Sequence, residues 1–228
     1  MIKHLDEARA AFFDVDGVLL DSLPQHLAFC RDKAREYGLA NVKVPGAPEF
    51  RKLINAGVRV SPMYEFFVAV GFPPQCAEQG VADYDRDFMK GYQPQPFVGA
   101  GDLLKSLYDV GLALGLVTSN VRANVEPALG ELMQYFAPQC TFYYDSYPRN
   151  ARVKSDLLKA GAQALDVAAS DCIYVGDQAT DRQAAEAAGF VFVPVTYGWG
   201  FAESGPLKNA ADSPAALQEL LIPRRHFA

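Results

Sequence analysis

An apolar run that ends in two aspartates constrains this chain more than any other feature. Residues 11–13 are apolar, Asp14 and Asp16 follow one residue apart, and Gly17 comes next. Because the predicted strand ends here, we expect both carboxylates at its carboxyl edge, where open parallel sheets bind ligands. Two close carboxylates repel each other and favour a divalent cation. An ordinary Asp-Gly turn would give the same local sequence, so residues elsewhere in the chain are needed to distinguish a ligand-binding site from a simple turn.

The composition indicates a globular protein with small partners. The chain has 228 residues, which suits one large domain or one domain with an insertion. Half of the residues are hydrophobic and 21% are charged, which excludes a disordered chain. The formal net charge of -6 argues against non-specific nucleic-acid binding, but not against a small anionic substrate.

The cysteines and the amino-terminal sequence favour a cytoplasmic protein. The four cysteines have neither metal-ligand spacing nor the pattern of a disulfide framework, so we interpret them as reduced thiols. The first residues have no apolar signal-peptide core, and no window reaches the length of a membrane span. We expect no membrane partner, and either a monomer or a homodimer.

The first third of the chain predicts a helical insertion. Ser22 is a candidate helix cap, with Pro24 in the first turn and Gly38 at the end of that helix. Three further helical patterns follow before residue 93, and no convincing strand interrupts them. We therefore predict a helical cap domain at residues 22–92 and a core domain formed by residues 1–21 and 93–228.

From residue 93 onward, short apolar runs alternate with helical patterns. The runs cover residues 112–117, 140–144, 172–175 and 190–195, and one of the helices is predicted around residues 123–135. Buried strands that alternate with helices predict an α/β fold, here a three-layer, Rossmann-like parallel sheet. Its strand ends converge on one edge. The polar residues expected there are Asp14, Asp16, Thr118, Ser119, Asn120, Asp177 and Asp181.

Four segments resemble the motifs of the haloacid-dehalogenase superfamily of phosphohydrolases, especially its phosphoglycolate-phosphatase-like members. The first is the stretch from Asp14 to Ser22, and the second is Thr118-Ser119-Asn120 after an apolar run. Lys154 stands at the place of the third motif. The fourth is Gly-Asp followed by three residues and Asp, from residue 176 to residue 181. The helical insertion stands where this group has its cap.

The resemblance implies phosphoryl transfer through an aspartyl-phosphate. Asp14 is then the nucleophile, and Asp16 the general acid and base. Mg²⁺ is the implied cofactor, held by Asp14, Asp177 and the backbone carbonyl of Asp16, with Asp181 as a direct or water-mediated ligand. The implied residues that bind the phosphate ester are Thr118, Ser119, Asn120 and Lys154.

Two departures from the motifs stand out. The third motif usually continues with proline, but Ser155 follows Lys154, and Arg152 and Lys159 are nearby alternatives. Gln178 follows Asp177 where Ser or Thr is common, which affects hydrogen bonds around the metal ligands and removes no ligand.

The sequence leaves several functions open. The leading hypothesis is a Mg²⁺-dependent phosphatase for a small metabolite, phosphoglycolate-like or a sugar phosphate. The alternatives are a phosphomutase of the β-phosphoglucomutase type, a phosphonate hydrolase with a Schiff-base lysine, and a non-catalytic binding protein on the same fold. The candidate Schiff-base residues are Lys33, Lys43 and Lys52.

Specificity in this group lies in the cap, where the sequence has no sharp motif. Arg51, Lys52 and Arg59 are candidates for binding a substrate carboxylate or second phosphate, although most such charges are solvated. We expect a surface or structural role for His26, with substrate contact as the alternative. Trp199 is expected to be a packing anchor at the core edge.

Overall fold

The computed structural model describes residues 5–146, 153–201 and 207–222. Within them, five parallel strands form one sheet in the spatial order β5-β4-β1-β6-β7, and a separate antiparallel pair joins β2 to β3. The strands are β1 (Ala10–Phe13), β2 (Leu20–Asp21), β3 (Gln95–Pro96), β4 (Ala113–Val117), β5 (Thr141–Phe142), β6 (Cys172–Gly176) and β7 (Val191–Pro194).

The position of β1 in the sheet explains why its apolar residues do not alternate with polar ones. β1 lies between β4 and β6, and all four of its residues are buried. Phe13 packs into the hydrophobic cluster between one face of the sheet and its covering helices. Phe12 packs into the corresponding cluster on the opposite face. A parallel strand covered on both faces needs apolar side chains at every position.

Helices cover both faces and form the insertion. The helices α5, α6 and α9 pack on one face and α7 and α8 on the other, so the predicted three-layer α/β sheet is confirmed. The helices are α1 (Leu23–Glu36), α2 (Ala47–Asn55), α3 (Met63–Ala69), α4 (Pro74–Gly91), α5 (Ala100–Asp109), α6 (Arg122–Leu129), α7 (Lys154–Ala164), α8 (Ala179–Ala188) and α9 (Pro214–Leu221).

The helices α1–α4 have a hydrophobic core of their own. It is rich in phenylalanine, and Trp199 from the loop after β7 packs into it. The exact limits of the cap, residues 22–92, stay a prediction. The pairs Leu20–Pro96 and Asp21–Gln95 bring the two ends of this segment together, which the sequence pattern did not indicate.

The predicted helix around residues 123–135 is too long. The helix α6 ends at Leu129, and a 3₁₀ helix covers Gly130–Tyr135. Pro127 lies inside α6 and lacks an N–H donor, and Gly130 has a φ of 53° that takes the chain out of α-helical geometry. The predicted strand at 140–144 is shorter too, because only Thr141–Phe142 pair with β4.

The described residues also bear on the state of the cysteines and on membrane-spanning helices. All four cysteines are free thiols, and three of them are buried. No described helix combines the length and the apolar character that a membrane span requires.

Candidate active site

Three aspartates meet at the carboxyl edge of the sheet. Asp14 follows β1, Asp177 follows β6, and Asp181 lies in the first turn of α8. One carboxylate oxygen from each lies within 4.8 Å of the others, and all three side chains are buried. The parallel arrangement of β1 and β6 therefore joins carboxylates that are more than 160 residues apart in sequence.

Lys154 is the cation of this cluster. Its Nζ donates to Asp14 Oδ2 at 2.7 Å and to Asp181 Oδ1 at 2.8 Å. Burial disfavours the ammonium form, but Asp14 and Asp181 outweigh it and raise the pKa of Lys154 above its ordinary value. Burial also raises the pKa of Asp14 to about 7, although Lys154 acts in the opposite direction.

Asp177 has one fixed and one unpartnered oxygen. Its Oδ2 accepts a hydrogen bond from the backbone amide of Trp199 at 2.5 Å, while its buried Oδ1 has no partner. Burial raises the pKa of Asp177 well above its usual value, and Asp181 and Asp14 add to this. A buried, unpartnered oxygen beside two further carboxylates fits a hard divalent cation that prefers oxygen ligands.

Two glycines make room for the Asp177 side chain. Gly17 has a φ of +78°, and a Cβ atom there would lie 2.2 Å from Asp177 Oδ2. A Cβ atom at Gly198 would lie 2.6 Å from the same oxygen. Both positions therefore exclude larger residues by close approach.

Asp181 is held by the protein through both oxygens. Its Oδ2 accepts from the backbone amide of Gln178 at 3.1 Å, and its Oδ1 accepts from Lys154 and, at 3.4 Å, from the hydroxyl of Tyr174. The Gln178 side chain accepts from the backbone of α8 in return, which completes a capping box. Gln178, unusual for the motif, thus serves as the helix cap.

Asp16 lies beside this cluster and has different partners. Its Oδ1 accepts from Ser22 Oγ at 2.6 Å, and its Oδ2 accepts from Asn120 Nδ2 at 2.9 Å. The predicted capping role of Ser22 is wrong, because this residue stands at the N-cap of α1 without a side-chain capping bond. The hydroxyl is directed to the carboxylate of the first motif instead.

A chain of hydrogen bonds leads from Asp16 into the cap. Asn124 Nδ2 donates to Asn120 Oδ1 at 3.1 Å and, more weakly, to the Tyr84 hydroxyl at 3.4 Å. That hydroxyl lies 3.0 Å from His26 Nε2, and His26 Nδ1 lies 2.7 Å from the Ser22 carbonyl oxygen. A carbonyl only accepts, so Nδ1 carries a proton, and Nε2 of the neutral ring accepts from Tyr84.

The expectation of a surface role for His26 is wrong, whereas its structural role is evident. Only 3% of the residue is exposed, and its ring is in contact with Phe66, Tyr84, Phe88 and Trp199. Burial lowers the pKa of His26, which favours the neutral ring. Trp199 is a packing residue as expected, but its ring joins the cap cluster instead of the core.

The second motif contributes three neighbouring side chains. Thr118 is buried, and its hydroxyl oxygen accepts from the Asn120 amide at 3.1 Å. Ser119 is exposed. Asn120 binds Asp16 and also caps its own loop, because its Oδ1 accepts from the Val121 amide at 2.8 Å.

A cavity of about 750 Å³ connects this edge of the sheet with the cap. Asp14, Asp16, Lys154 and Asp181 line it from the core, together with residues of the second motif. The cap contributes His26, Tyr84 and a largely apolar wall. Asp177 is buried and does not itself line the cavity.

The other basic residues that the sequence offered for catalysis do not share the position of Lys154 in the described part of the cavity. Lys159 is exposed and, unlike Lys154, does not line the cavity. Arg152 lies outside the described residues. None of the three candidate Schiff-base residues, Lys33, Lys43 and Lys52, lines the cavity.

The model of one protein family matches most of the chain. The haloacid dehalogenase-like hydrolase model covers residues 8–189 and therefore includes all four motifs. The chain belongs to the haloacid dehalogenase-like hydrolase family. The resemblance seen in the sequence is confirmed, and so is its assignment as a hydrolase.

Curated relatives of this haloacid dehalogenase-like hydrolase include two kinds of phosphatase. A phosphoglycolate phosphatase of Xanthomonas campestris is 29% identical over 211 residues, which cover 90% of each chain. An N-acetylmuramic acid 6-phosphate phosphatase of Pseudomonas aeruginosa is 26% identical over 210 residues, which cover 90% of this chain and 88% of the relative.

Solved structures share the fold of this hydrolase. A haloacid dehalogenase-like family protein from Streptococcus pneumoniae superposes with a TM-score of 0.73 at 21% identity. The match covers 92% of this chain and 97% of the other. At this identity the likeness concerns the fold alone.

Sequence reasoning missed Tyr84 and Asn124 as neighbours of the site. Tyr84 lies in the cap helix α4 and Asn124 in the core helix α6, and both resemble ordinary polar positions on helices. The spacing Asn120–Asn124, one helical turn, was the only available signal for the second.

Proposed function

We propose that this hydrolase is a Mg²⁺-dependent phosphatase that cleaves small phosphate monoesters through an aspartyl-phosphate on Asp14. One observation supports this most directly. The structure groups Asp14, Asp177 and Asp181, with Lys154 bound to the first and the third. It holds Asp16 separately on Ser22 and Asn120. Two carboxylates two residues apart in sequence thus have different surroundings, which suits different tasks.

The nucleophile is Asp14. Its Oδ1 accepts from the Val15 amide at 2.8 Å and its Oδ2 binds Lys154, so the carboxylate is held in one orientation. In the first step, Asp14 forms a bond to phosphorus while the bond from phosphorus to the ester oxygen breaks. Lys154, Thr118 and the backbone of the second motif hold the phosphoryl oxygens.

The general acid and base is Asp16. It gives a proton to the departing ester oxygen, which leaves as an alcohol. It then takes a proton from the water that attacks phosphorus, and inorganic phosphate leaves as Asp14 is restored. Ser22 and Asn120 hold both oxygens of Asp16 and so orient the carboxyl group for these transfers.

The metal ligands are Asp14, Asp177 and the backbone carbonyl of Asp16, with Asp181 in a supporting role. Asp177 Oδ1 is free to bind a cation, whereas both oxygens of Asp181 are occupied by Lys154 and α8. Bound Mg²⁺ supplies positive charge that reduces repulsion between the phosphate and the carboxylates.

The cap, residues 22–92 by our assignment, encloses the leaving group and restricts water. Arg51 Nε donates to the Gly198 carbonyl at 3.0 Å and ties α2 to the loop that also binds Asp177. The protein is expected to act as a monomer or homodimer in the cytoplasm.

The decisive experiment measures phosphate release from p-nitrophenyl phosphate with Mg²⁺ and with EDTA. Asp14→Asn should lower kcat by at least about 1,000-fold, and EDTA should abolish turnover. Asp21→Asn, at an exposed position of the same motif, should retain activity. Full activity of Asp14→Asn would contradict the mechanism, and dependence on a sugar bisphosphate without net phosphate release would indicate a phosphomutase.

A further inference from the structure

The cap side of the cavity has the composition of a site for an apolar body. Seven of its residues from α4, α3 and the segment before α3 are apolar or aromatic: Val60, Pro62, Met63, Tyr64, Phe66, Val81 and Tyr84. Sites that bind small molecules commonly bury most of the ligand against such side chains. The whole cavity, including the side that faces Asp14 and Lys154, has a volume of about 750 Å³, which leaves room for a ring on the cap side.

The charged residues that line the described part of this cavity disfavour a second anionic group on the substrate. Among the described residues that line it, Lys154 is the only lysine or arginine, and Asp14 and Asp181 already bind its ammonium group. The cap wall contains one acidic residue, Asp85, and no described cation. A carboxylate on the leaving group would therefore face Asp85 without a balancing charge.

The basic residues of the cap are placed elsewhere. Arg51 binds the Gly198 carbonyl, and Lys33 forms ion pairs with Glu36 at 2.7 Å and Asp83 at 3.2 Å. Neither residue lines the cavity, and the same is true of Lys52 and Arg59. The candidates that the sequence offered for binding a substrate carboxylate thus lie outside the cavity.

We infer that the substrate is a phosphate monoester of a bulky, uncharged, ring-bearing alcohol, with the ring against the apolar cap wall and a hydrogen-bond donor toward Asp85. A small carboxylic-acid phosphate such as phosphoglycolate is disfavoured by the same wall. This inference rests on the proposed phosphatase activity and assigns the leaving group. Arg149 and Arg152 belong to residues that the structure does not describe. The experiment below tests whether they bind a carboxylate on the substrate.

Three phosphate esters of primary alcohols separate size from charge: benzyl phosphate, ethyl phosphate and 2-phosphoglycolate. With saturating Mg²⁺, kcat/KM for benzyl phosphate should exceed that for ethyl phosphate by about tenfold or more, because the ring is buried. Ethyl phosphate should in turn exceed 2-phosphoglycolate by about tenfold, because the carboxylate faces Asp85 and the described cap wall offers it no cation.

Paired cap variants test the location of the ring. Met63→Arg places a cation in the cavity wall, so it should lower kcat/KM for benzyl phosphate and raise that for 2-phosphoglycolate, each by about tenfold. Val68→Arg changes an exposed position on the same helix and should leave all three values unchanged. Turnover of ethyl phosphate by Met63→Arg shows that the variant is folded.

A second pair of variants tests the effect of the negative charge of Asp85 without adding volume to the cavity. Asp85→Asn should raise the ratio of kcat/KM for 2-phosphoglycolate to kcat/KM for ethyl phosphate by about threefold to tenfold. Glu78→Gln, an exposed change on the same helix α4, should have no effect.

The outcomes distinguish the two proposals. Absence of phosphate release from all three esters overturns the phosphatase proposal, and this inference with it. Release with 2-phosphoglycolate as the best substrate overturns the inference alone. If the preference for 2-phosphoglycolate disappears in Arg149→Ala/Arg152→Ala, those arginines bind its carboxylate. If the double variant keeps the preference for benzyl phosphate, the assignment to the cap wall is supported.

Discussion

The backbone amide of Trp199 donates a hydrogen bond of 2.5 Å to Asp177 Oδ2, while the Trp199 ring packs among the aromatic residues of the cap. One residue therefore contacts both the acidic cluster and the helical insertion. The bond leaves the other Asp177 oxygen, Oδ1, buried and without a partner. Trp199 thus links the orientation of the Asp177 carboxylate to the packing of the cap.

Asp177→Asn should weaken Mg²⁺ binding. The amide keeps the shape of the side chain and can still accept from Trp199, but it removes one negative charge from a buried cluster. The Kd for Mg²⁺ is expected to rise by roughly tenfold or more, measured by isothermal titration calorimetry. Asp156→Asn, an exposed change on α7, is the control. Equal Kd values for Asp177→Asn and the wild type would argue against Asp177 as a ligand.

Lys154→Met should destabilise the metal-free protein. Removal of the ammonium group leaves Asp14 and Asp181 buried without their cation, which is expected to lower the free energy of unfolding by about 3 kcal/mol at pH 8. The loss should be smaller at pH 6, because the pKa of Asp14 is already raised to about 7 by burial, and protonation then relieves the repulsion.

Urea unfolding in EDTA at the two pH values measures this loss. Lys159→Met provides a matched control, since this lysine is exposed on the same helix α7. A similar loss for both lysines, or one independent of pH, would contradict the role assigned to the Lys154 ion pairs.

Ser22→Ala should affect turnover more than substrate binding. The variant removes the hydroxyl that donates to Asp16 Oδ1 at 2.6 Å, and the helix loses no capping bond. Because hydrogen bonds to charged groups are comparatively strong, kcat is expected to fall by about tenfold to 100-fold with little change in KM. Steady-state kinetics with p-nitrophenyl phosphate would show the split, whereas an effect on KM alone would indicate that Ser22 acts on binding.

The stability of the cap should depend on Asp83. Burial acts to raise the pKa of this carboxyl group, but donors from Tyr37, Lys33, Arg86 and Gln79 outweigh it and lower the pKa to about 2. A lowered pKa stabilises the fold above the ordinary value of 3.8, and this contribution is lost as the pH falls toward 2.

Asp83→Asn should therefore lower the free energy of unfolding by on the order of 2 kcal/mol at pH 6 and have little effect near pH 2. Chemical unfolding followed by circular dichroism measures both. Glu78→Gln on the same helix should show no such dependence on pH. A constant difference between pH 6 and pH 2 would contradict the assignment.

Much of the architecture could be predicted because burial shapes local sequence. The strand β1 lies between two parallel partners and under helices on both faces, so its residues had to be apolar without alternation. The aspartates that end such strands, Asp14 and Asp177, were recognisable for the same reason. Their roles, like those of Asp16 and Lys154, stay predictions that the experiments above test.

The contacts across the chain could not be predicted in the same way. Nothing in the local sequence of Ser22 distinguishes a helix cap from a donor to Asp16, because both use the same hydroxyl at the same position. The sequence did not decide between a surface and a structural role for His26, or which cluster Trp199 joins, because both depend on how α1, α3 and α4 pack over the loop after β7.

The sequence by itself determined the α/β class, the order of the strands of the main sheet, the resemblance to the family and the acidic residues at the strand ends. These properties follow from hydrophobic periodicity and from the residues within each motif, which can be read along the chain without knowledge of tertiary contacts. Only the tertiary structure decided which oxygen of Asp177 lacks a partner, which residues hold Asp16 and which cap residues line the cavity. Such properties depend on distances between residues that are remote in sequence, and packing alone sets those distances.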